Sequence, residues 1–259
     1  MKQERFKADL QRDGTGIREM RRLLEAFSQH RDFEKLKDQA FKENLLSKTS
    51  DHHIKSLLAA FKRRFLTLNE YPPAQVVADA MVSKISETGK MQILLPYFIH
   101  SDPLVEEIYI NLVLPRSKSS NSRLHRDEVL DYINRLSTNH PELKKWSEYL
   151  RLRWARGFLA LLRHFNLMER HPSTKIKRLW IETECFAFFW MWFWQQKNSF
   201  WDAERHDLWK IMQLEEKNKT ELLMEGQLRG WWIYQRWGEI VQFQPRFKSL
   251  EDWLQHGLA

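Results

Sequence analysis

The side chains best placed to do chemistry lie between His140 and Trp180, in HPELKKWSEYLRLRWARGFLALLRHFNLMERHPSTKIKRLW. Lys144, Lys145, Arg151, Arg153, Arg156, Arg163, Arg170, Lys175, Lys177 and Arg178 are opposed there only by Glu142, Glu148 and Glu169. Cations at this density suit a polyanion, because phosphate neutralisation dominates nucleic-acid affinity. Other chemistry has little support. His52 and His53 are adjacent, so on a helix they point about 100° apart and do not share a metal ion. Cys185 stands alone inside CFAFFWMWFW, with no CxxC spacing and no nearby base, and reads as a buried thiol. Glu182 and Glu184 flank Thr183, but no acidic or lysine partner at useful spacing completes a nuclease site. No Walker loop, GxGxxG, GxSxG or HExxH occurs. The expectation is therefore a protein that is not an enzyme, with no catalytic residues, no metal and no cofactor.

An element has to hold these cations on one surface. From Ser147 to about Phe165 the spacing predicts a helix, with Leu150, Trp154, Phe158, Leu161, Leu162 and Phe165 on one stripe. Arg153, Arg156, Arg163 and His164 fall opposite, and Arg151 near the edge. Ser147 is placed to cap the helix and is counted with the binding set. A polar turn, His171-Pro172-Ser173-Thr174, precedes the β-leaning Lys175–Trp180. A helix with an arginine face followed by a basic hairpin has the outline of a winged helix-turn-helix, whose helix enters the major groove while the wing touches the backbone. The same charge pattern also fits a solvated surface helix. The basic turn and strand that follow favour the wing. A second set, Lys48, His52, Lys55, Lys62 and Arg63, sits at the turn before, and along, a helix expected from about Asp51 to Phe65. With the helix at roughly 32–44 it has the outline of another helix-turn-helix.

The remaining chain supports a mainly α protein. Hydrophobic residues make up 42% of 259 and glycine and proline number only 8 each, which suits helices with real cores. Net charge of +8 favours a polyanionic partner. Periodicity appears after Asp13-Gly14-Thr15-Gly16, with Ile17, Met20, Leu23, Leu24 and Phe27 at helical spacing. Pro73 opens a helix that Gly89 is placed to end, and Pro96 breaks the apolar segment 90–100. The run Pro115–Arg123 reads as a linker. A long helix is expected from about Asp202 to Gly226, then a hairpin turning at Gly238-Glu239 and ending at Pro245. Four regions result: an N-terminal helical domain at 1–115 with a possible helix-turn-helix, a linker at 116–123, a winged helix-turn-helix module at 124–182, and aromatic-rich helices with a β-hairpin at 183–259. CFAFFWMWFW is about half the length needed to cross a bilayer and reads as a buried core helix. No disulfide framework is available to a single cysteine, and MKQERFKADLQRD lacks the apolar core of a signal peptide. Both point to the cytoplasm.

The order IREMRRLLEAF, ENLLSKTS, IKSLLAAFKRRF, HPELKKWSEYLRLRWARGFLALLRHFNLME and LEDWL resembles the BrxA family of bacteriophage exclusion (BREX) defence systems. The resemblance spans about Gly16 to Trp253 and rests on hydrophobic patterns, not on catalytic signatures. It implies a bilobed, all-helical protein with winged-helix character that binds double-stranded DNA without catalysis. It also implies action beside a methyltransferase and ATPase-type proteins. A monomer or weak dimer is expected, and the short length of CFAFFWMWFW argues against a membrane. Two other readings stay open on the residues alone: a protein-interaction scaffold subunit, and an RNA-binding helical protein of the antitermination-factor kind.

Overall fold

The computed structural model describes residues 5–10 and 16–258. The break expected at Asp13-Gly14-Thr15 lies outside the described residues. The fold is mainly α with one short antiparallel hairpin. It divides into two compact units, each assembled from separated stretches of chain. Unit 1 takes Met1–Met20, Leu46–Arg64 and Tyr97–Leu179; unit 2 takes Arg21–Leu45, Phe65–Pro96 and Trp180–Ala259. This division does not follow the four consecutive regions read from the sequence. The helices Phe33–Lys42 and Asp51–Phe61 fall in different units, so the helix-turn-helix outline at 32–65 is not a module of either one.

Unit 1 contains the basic stretch. Its helices Arg126–Leu136, Pro141–Lys144 and Glu148–His164 follow one another closely, and Val129, Ile133, Leu143, Trp154 and Phe158 are fully buried. The run expected as a linker is tied into this unit. Leu114–Ser117 is a helical turn, and the Arg116 guanidinium donates to the carbonyls of Leu112 and Arg123, both at 3.0 Å, and pairs with Glu128. Arginine can bridge several carbonyls at once because its donors form a fixed fork. A serine-rich composition alone does not reveal this.

Unit 2 is built on Thr183–Lys197, which carries CFAFFWMWFW. Cys185, Phe186, Ala187, Phe188, Phe189, Trp190, Met191 and Phe193 are all buried. The Trp190 ring meets Phe186 at 5.2 Å, Phe200 at 5.1 Å, Trp209 at 6.1 Å and Phe243 at 5.9 Å. Aromatic rings at these spacings add to stability beyond their buried area. Among the described residues no helix is long and apolar enough to cross a membrane. Burial pushes the Cys185 thiol well up, with Glu182 and Glu184 adding to the effect, so it holds no ready thiolate.

Two further expectations of secondary structure fail. Gly89 and Pro96 do not break the chain: both lie inside one helix, Glu87–His100. Burial of Ile93, Leu94, Leu95, Tyr97, Phe98 and Ile99 holds it together past the proline. The long helix expected at 202–226 is instead Phe200–Glu204, Leu208–Ile211 and Glu216–Leu228. Gln213 takes φ 57, a left-handed conformation that no helix continues through.

Candidate nucleic-acid interface

The helix Glu148–His164 begins as its sequence predicts, with the Ser147 hydroxyl accepting from the Leu150 amide at 3.2 Å. Its apolar stripe is buried, with Leu150 at the margin, and the Trp154 and Phe158 rings stack at 5.6 Å and 9°. The opposite face presents Tyr149, 68% exposed, with Arg153, Arg156 and His164 also exposed. Ala160 and Gly157 lie between them and keep the backbone accessible, although Leu10 packs close to Gly157 at one border. Burial and a nearby Arg18 hold His164 below its usual range, so it adds little charge at neutral pH.

A small set of β-bridges, at the position expected for a wing, is anchored at the end of this helix. The Lys177 amide donates to the Leu167 carbonyl at 2.8 Å, and the Glu169 amide to the Lys175 carbonyl at 2.9 Å. A third segment joins from the opposite side: the Leu124 amide donates to Thr174 at 2.9 Å, and the Ile176 amide to Ser122 at 2.6 Å. Bridges Met168↔Ile176 and Arg123↔Lys175 complete the arrangement. The extended segment stops near Lys177 and does not run to Trp180. Met168 and Ile176 bury inward while Arg170, Lys175 and Arg178 are exposed. Lys177 is half-buried and donates to the Asn166 side chain.

Not every cation expected to bind is available for it. Arg163 is half-buried and donates to the carbonyls of Glu169 at 3.3 Å and Ser173 at 3.2 Å, holding the wing to the helix. Burial lowers its pKa. Arg151 donates to the Asn134 side chain and to the Leu143 carbonyl at 2.9 Å, fixing the turn between the first two helices. Both are positioning residues. Lys144 and Lys145 are exposed beside the start of the helix. Of the second set, Lys48 pairs with Glu19 at 2.7 Å and Arg63 with Asp9 at 3.2 Å. Burial raises the Glu19 carboxyl, but the Lys48 hydrogen bond, a backbone hydrogen bond and the Lys48 and His53 charges together outweigh it, and the net shift is downward. His52, Lys55 and Lys62 are exposed. The end of the Asp51–Phe61 helix and the Glu148–His164 helix meet a common ring, since Arg64 lies 4.1 Å over Phe98 and Phe165 packs 5.3 Å from it.

Two residues absent from the expected set, Tyr149 and Arg123, lie on this candidate surface beside the expected Arg170. Tyr149 lies in the first turn of the helix, where an amphipathic pattern does not separate a contact residue from a solvated one. Arg123 was placed in a linker, and only its bridge to Lys175 brings it to the wing. Arg170 sits on the wing's exposed turn. Among the described residues no cluster of histidine, cysteine and carboxylates suits a metal ion. Glu182 and Glu184 are structural: the Glu182 amide donates to Gln92, and Glu184 pairs with Arg229 at 3.1 Å.

The BrxA family model matches residues 4–190, well over half of the 259. The chain belongs to the BrxA family. It is therefore a protein of the BREX defence systems. The matched span ends inside the Thr183–Lys197 helix, so it includes the basic helix and the wing and leaves out the C-terminal hairpin. No curated protein matches the chain. A crystal structure of an uncharacterized protein from Magnetospirillum magneticum resembles this BrxA-family chain at a TM-score of 0.58 and 13% identity, covering 75% of this chain and 94% of that one. That likeness is one of fold.

Proposed function

We propose that this BrxA-family protein binds duplex DNA through unit 1, without catalysis, in the cytoplasmic defence against phage. The Glu148–His164 helix lies in the major groove, with Tyr149, Arg153 and Arg156 toward the bases and phosphates. The wing, through Arg123, Arg170, Lys175 and Arg178, contacts the adjacent backbone. One observation carries the reading: Arg153 and Arg156 are exposed and, among the described residues, make no ion pair, on a helix whose end bears a basic wing. A helix of this kind with a β-wing is the docking arrangement of winged helix-turn-helix proteins. Methyltransferase and ATPase subunits of the same system are the expected protein partners.

Titrating duplex DNA at several salt concentrations tests this. Affinity should fall steeply with salt, with log K dropping by about 0.9 per log unit for each phosphate neutralised. The Arg153→Ala/Arg156→Ala variant should bind more weakly and with a shallower slope while melting like the wild type. Unchanged binding by that folded variant would remove the helix from the interface. Equal affinity for duplex RNA would point away from major-groove docking, since the A-form major groove is too deep and narrow for side chains to read.

A further inference from the structure

The hairpin of unit 2 leaves one strand edge bare. Strand β1, Trp232–Trp237, pairs antiparallel with β2, Ile240–Pro245, setting Trp237 opposite Ile240 and Gln235 opposite Gln242. Gly238 takes φ 59 at the first position of the two-residue turn, as a type II′ turn requires. Just beyond the strands, the Arg246 amide donates to the Trp231 carbonyl at 3.0 Å. Bonded and non-bonded pairs alternate along an antiparallel ladder. The bonded pairs are therefore Trp231–Arg246, Ile233–Gln244, Gln235–Gln242 and Trp237–Ile240. The Tyr234 amide, in a non-bonded pair, points away from β2 and donates to Gln227 on the helix Glu216–Leu228, which covers the β1 edge. By the same alternation the amides and carbonyls of Val241 and Phe243 point outward from β2. Among the described residues no hydrogen bond reaches them.

Open edges are ordinarily protected by charge or proline. Strand β2 reads IVQFQP, with no charge and its proline only at the last position. The outer face of the hairpin is uncharged as well. It carries Ile233, Gln235 and Trp237 from β1 and Ile240, Gln242 and Gln244 from β2. Trp237 is 60% exposed and Ile240 is 70% exposed, unusual for side chains of this size with no partner.

We propose that β2 pairs with the β2 edge of a second copy of this chain, forming a four-stranded sheet across a two-fold axis. The strand selects a second copy because it is its own complement. Antiparallel pairing centred on Gln242 sets Val241 opposite Phe243 of the other copy, and Phe243 opposite Val241. Every outward amide then meets an outward carbonyl. The same register aligns Gln235, Gln242 and their counterparts in one row of amide side chains. Trp237 and Ile240 continue into Gln244 and Ile233 of the other copy in the rows on either side. No like charges meet anywhere in the contact, and a charged partner strand would find no counter-charge. The interface is isologous, so it closes at a dimer and does not propagate. A single strand pair buries less than a standard interface, so association is concentration-dependent.

Sedimentation velocity of the full chain across a concentration series, without DNA, tests the proposal. The wild type should pass from monomer to dimer as concentration rises. Gln242→Lys places two ammonium groups opposite each other across the axis and should stay monomeric, as should Gln242→Glu. Mixing these two variants at low salt should restore a dimer, which it does only if both are folded. Val241→Pro should also stay monomeric with an unchanged melting temperature, because the Val241 amide makes no bond within the hairpin. A wild type that is monomeric at every concentration overturns the proposal. So does a dimer that persists in both Gln242→Lys and Val241→Pro.

Discussion

Arg156 and Arg163 lie about two turns apart on one helix and should answer mutation in opposite ways. Arg156 is exposed, so Arg156→Ala should leave the melt unchanged and weaken DNA binding. Arg163 holds two wing carbonyls. Hydrogen bonds from a charged group contribute about 1.5–3 kcal/mol each, so Arg163→Ala should lower stability by roughly that amount and loosen the wing. Thermal melts of the two variants side by side check this. Equal melting temperatures would show that Arg163 does not anchor the wing. The sequence placed both arginines in one class, because a helical wheel reports direction and not partners. Asp102 offers a second test. Burial pushes its carboxyl up to about 6, with Asp9 adding to the rise, while the amides of Leu104 and Val105 and the Arg63 charge oppose it. The folded state therefore holds this proton more tightly than the unfolded chain. Its stabilising effect is complete below pH about 4 and is lost as pH rises through about 6. Asp102→Asn keeps a capping oxygen and does not titrate. Comparing melts of Asp102→Asn and wild type from pH 4 to 7 should show the wild type losing ground across that window. Parallel profiles would mean that Asp102 ionises normally.

At the scale of elements, close approach decides what fits. Gly226 lies within the helix Glu216–Leu228, where alanine ordinarily stabilises by about 1 kcal/mol. Here a Cβ would stand 2.0 Å from the Trp232 ring, which is fully buried and donates through its indole N–H to the Leu223 carbonyl at 2.8 Å. The ring has no free path away, so Gly226→Ala should destabilise by about 1–3 kcal/mol, the usual cost of overpacking. A melt at or above the wild-type temperature would show that the helix and hairpin slide apart easily. The same element shows what was legible beforehand. The hairpin could be read because alternation, Gly238-Glu239 and Pro245 all act locally. The helix Glu148–His164 could be read because its stripe and its Ser147 cap are also local signals. The wing was legible only as a turn with basic residues: its pairing partner, Ser122–Leu124, is remote in sequence and looked like linker. The breaks expected at Gly89 and Pro96 failed for the converse reason, since burial of their neighbours outweighed local preference.

Across the whole molecule, the division of the chain predicts how it unfolds. Each unit draws on three separated stretches, so neither is a continuous piece that could be cut out. Residues 21–45 and 65–96 lie between stretches of unit 1 but belong to unit 2, and they bury Leu23, Leu24, Phe27, Leu36, Val76, Val77, Ala80 and Met81. A fragment ending at Leu179 keeps every residue of unit 1 yet lacks the Thr183–Lys197 helix at the heart of unit 2. Those apolar side chains would then face water, at a cost of about 25 cal/mol for each Å² exposed. Residues 1–179 alone should therefore aggregate or stay unfolded, although they hold the whole candidate DNA surface. By the same reasoning, Trp190→Ala should cost about 3–5 kcal/mol, as large aromatic deletions do in a packed core. If losing one unit strips the other of its chain connections, heat should unfold the molecule in a single transition, with calorimetric and van't Hoff enthalpies equal. In Trp190→Ala, the signals from helix content and from DNA binding should then fall together at a lower temperature. Two resolved transitions, or a soluble 1–179 fragment that binds duplex DNA, would mean that the interleaving of the chain does not couple the units.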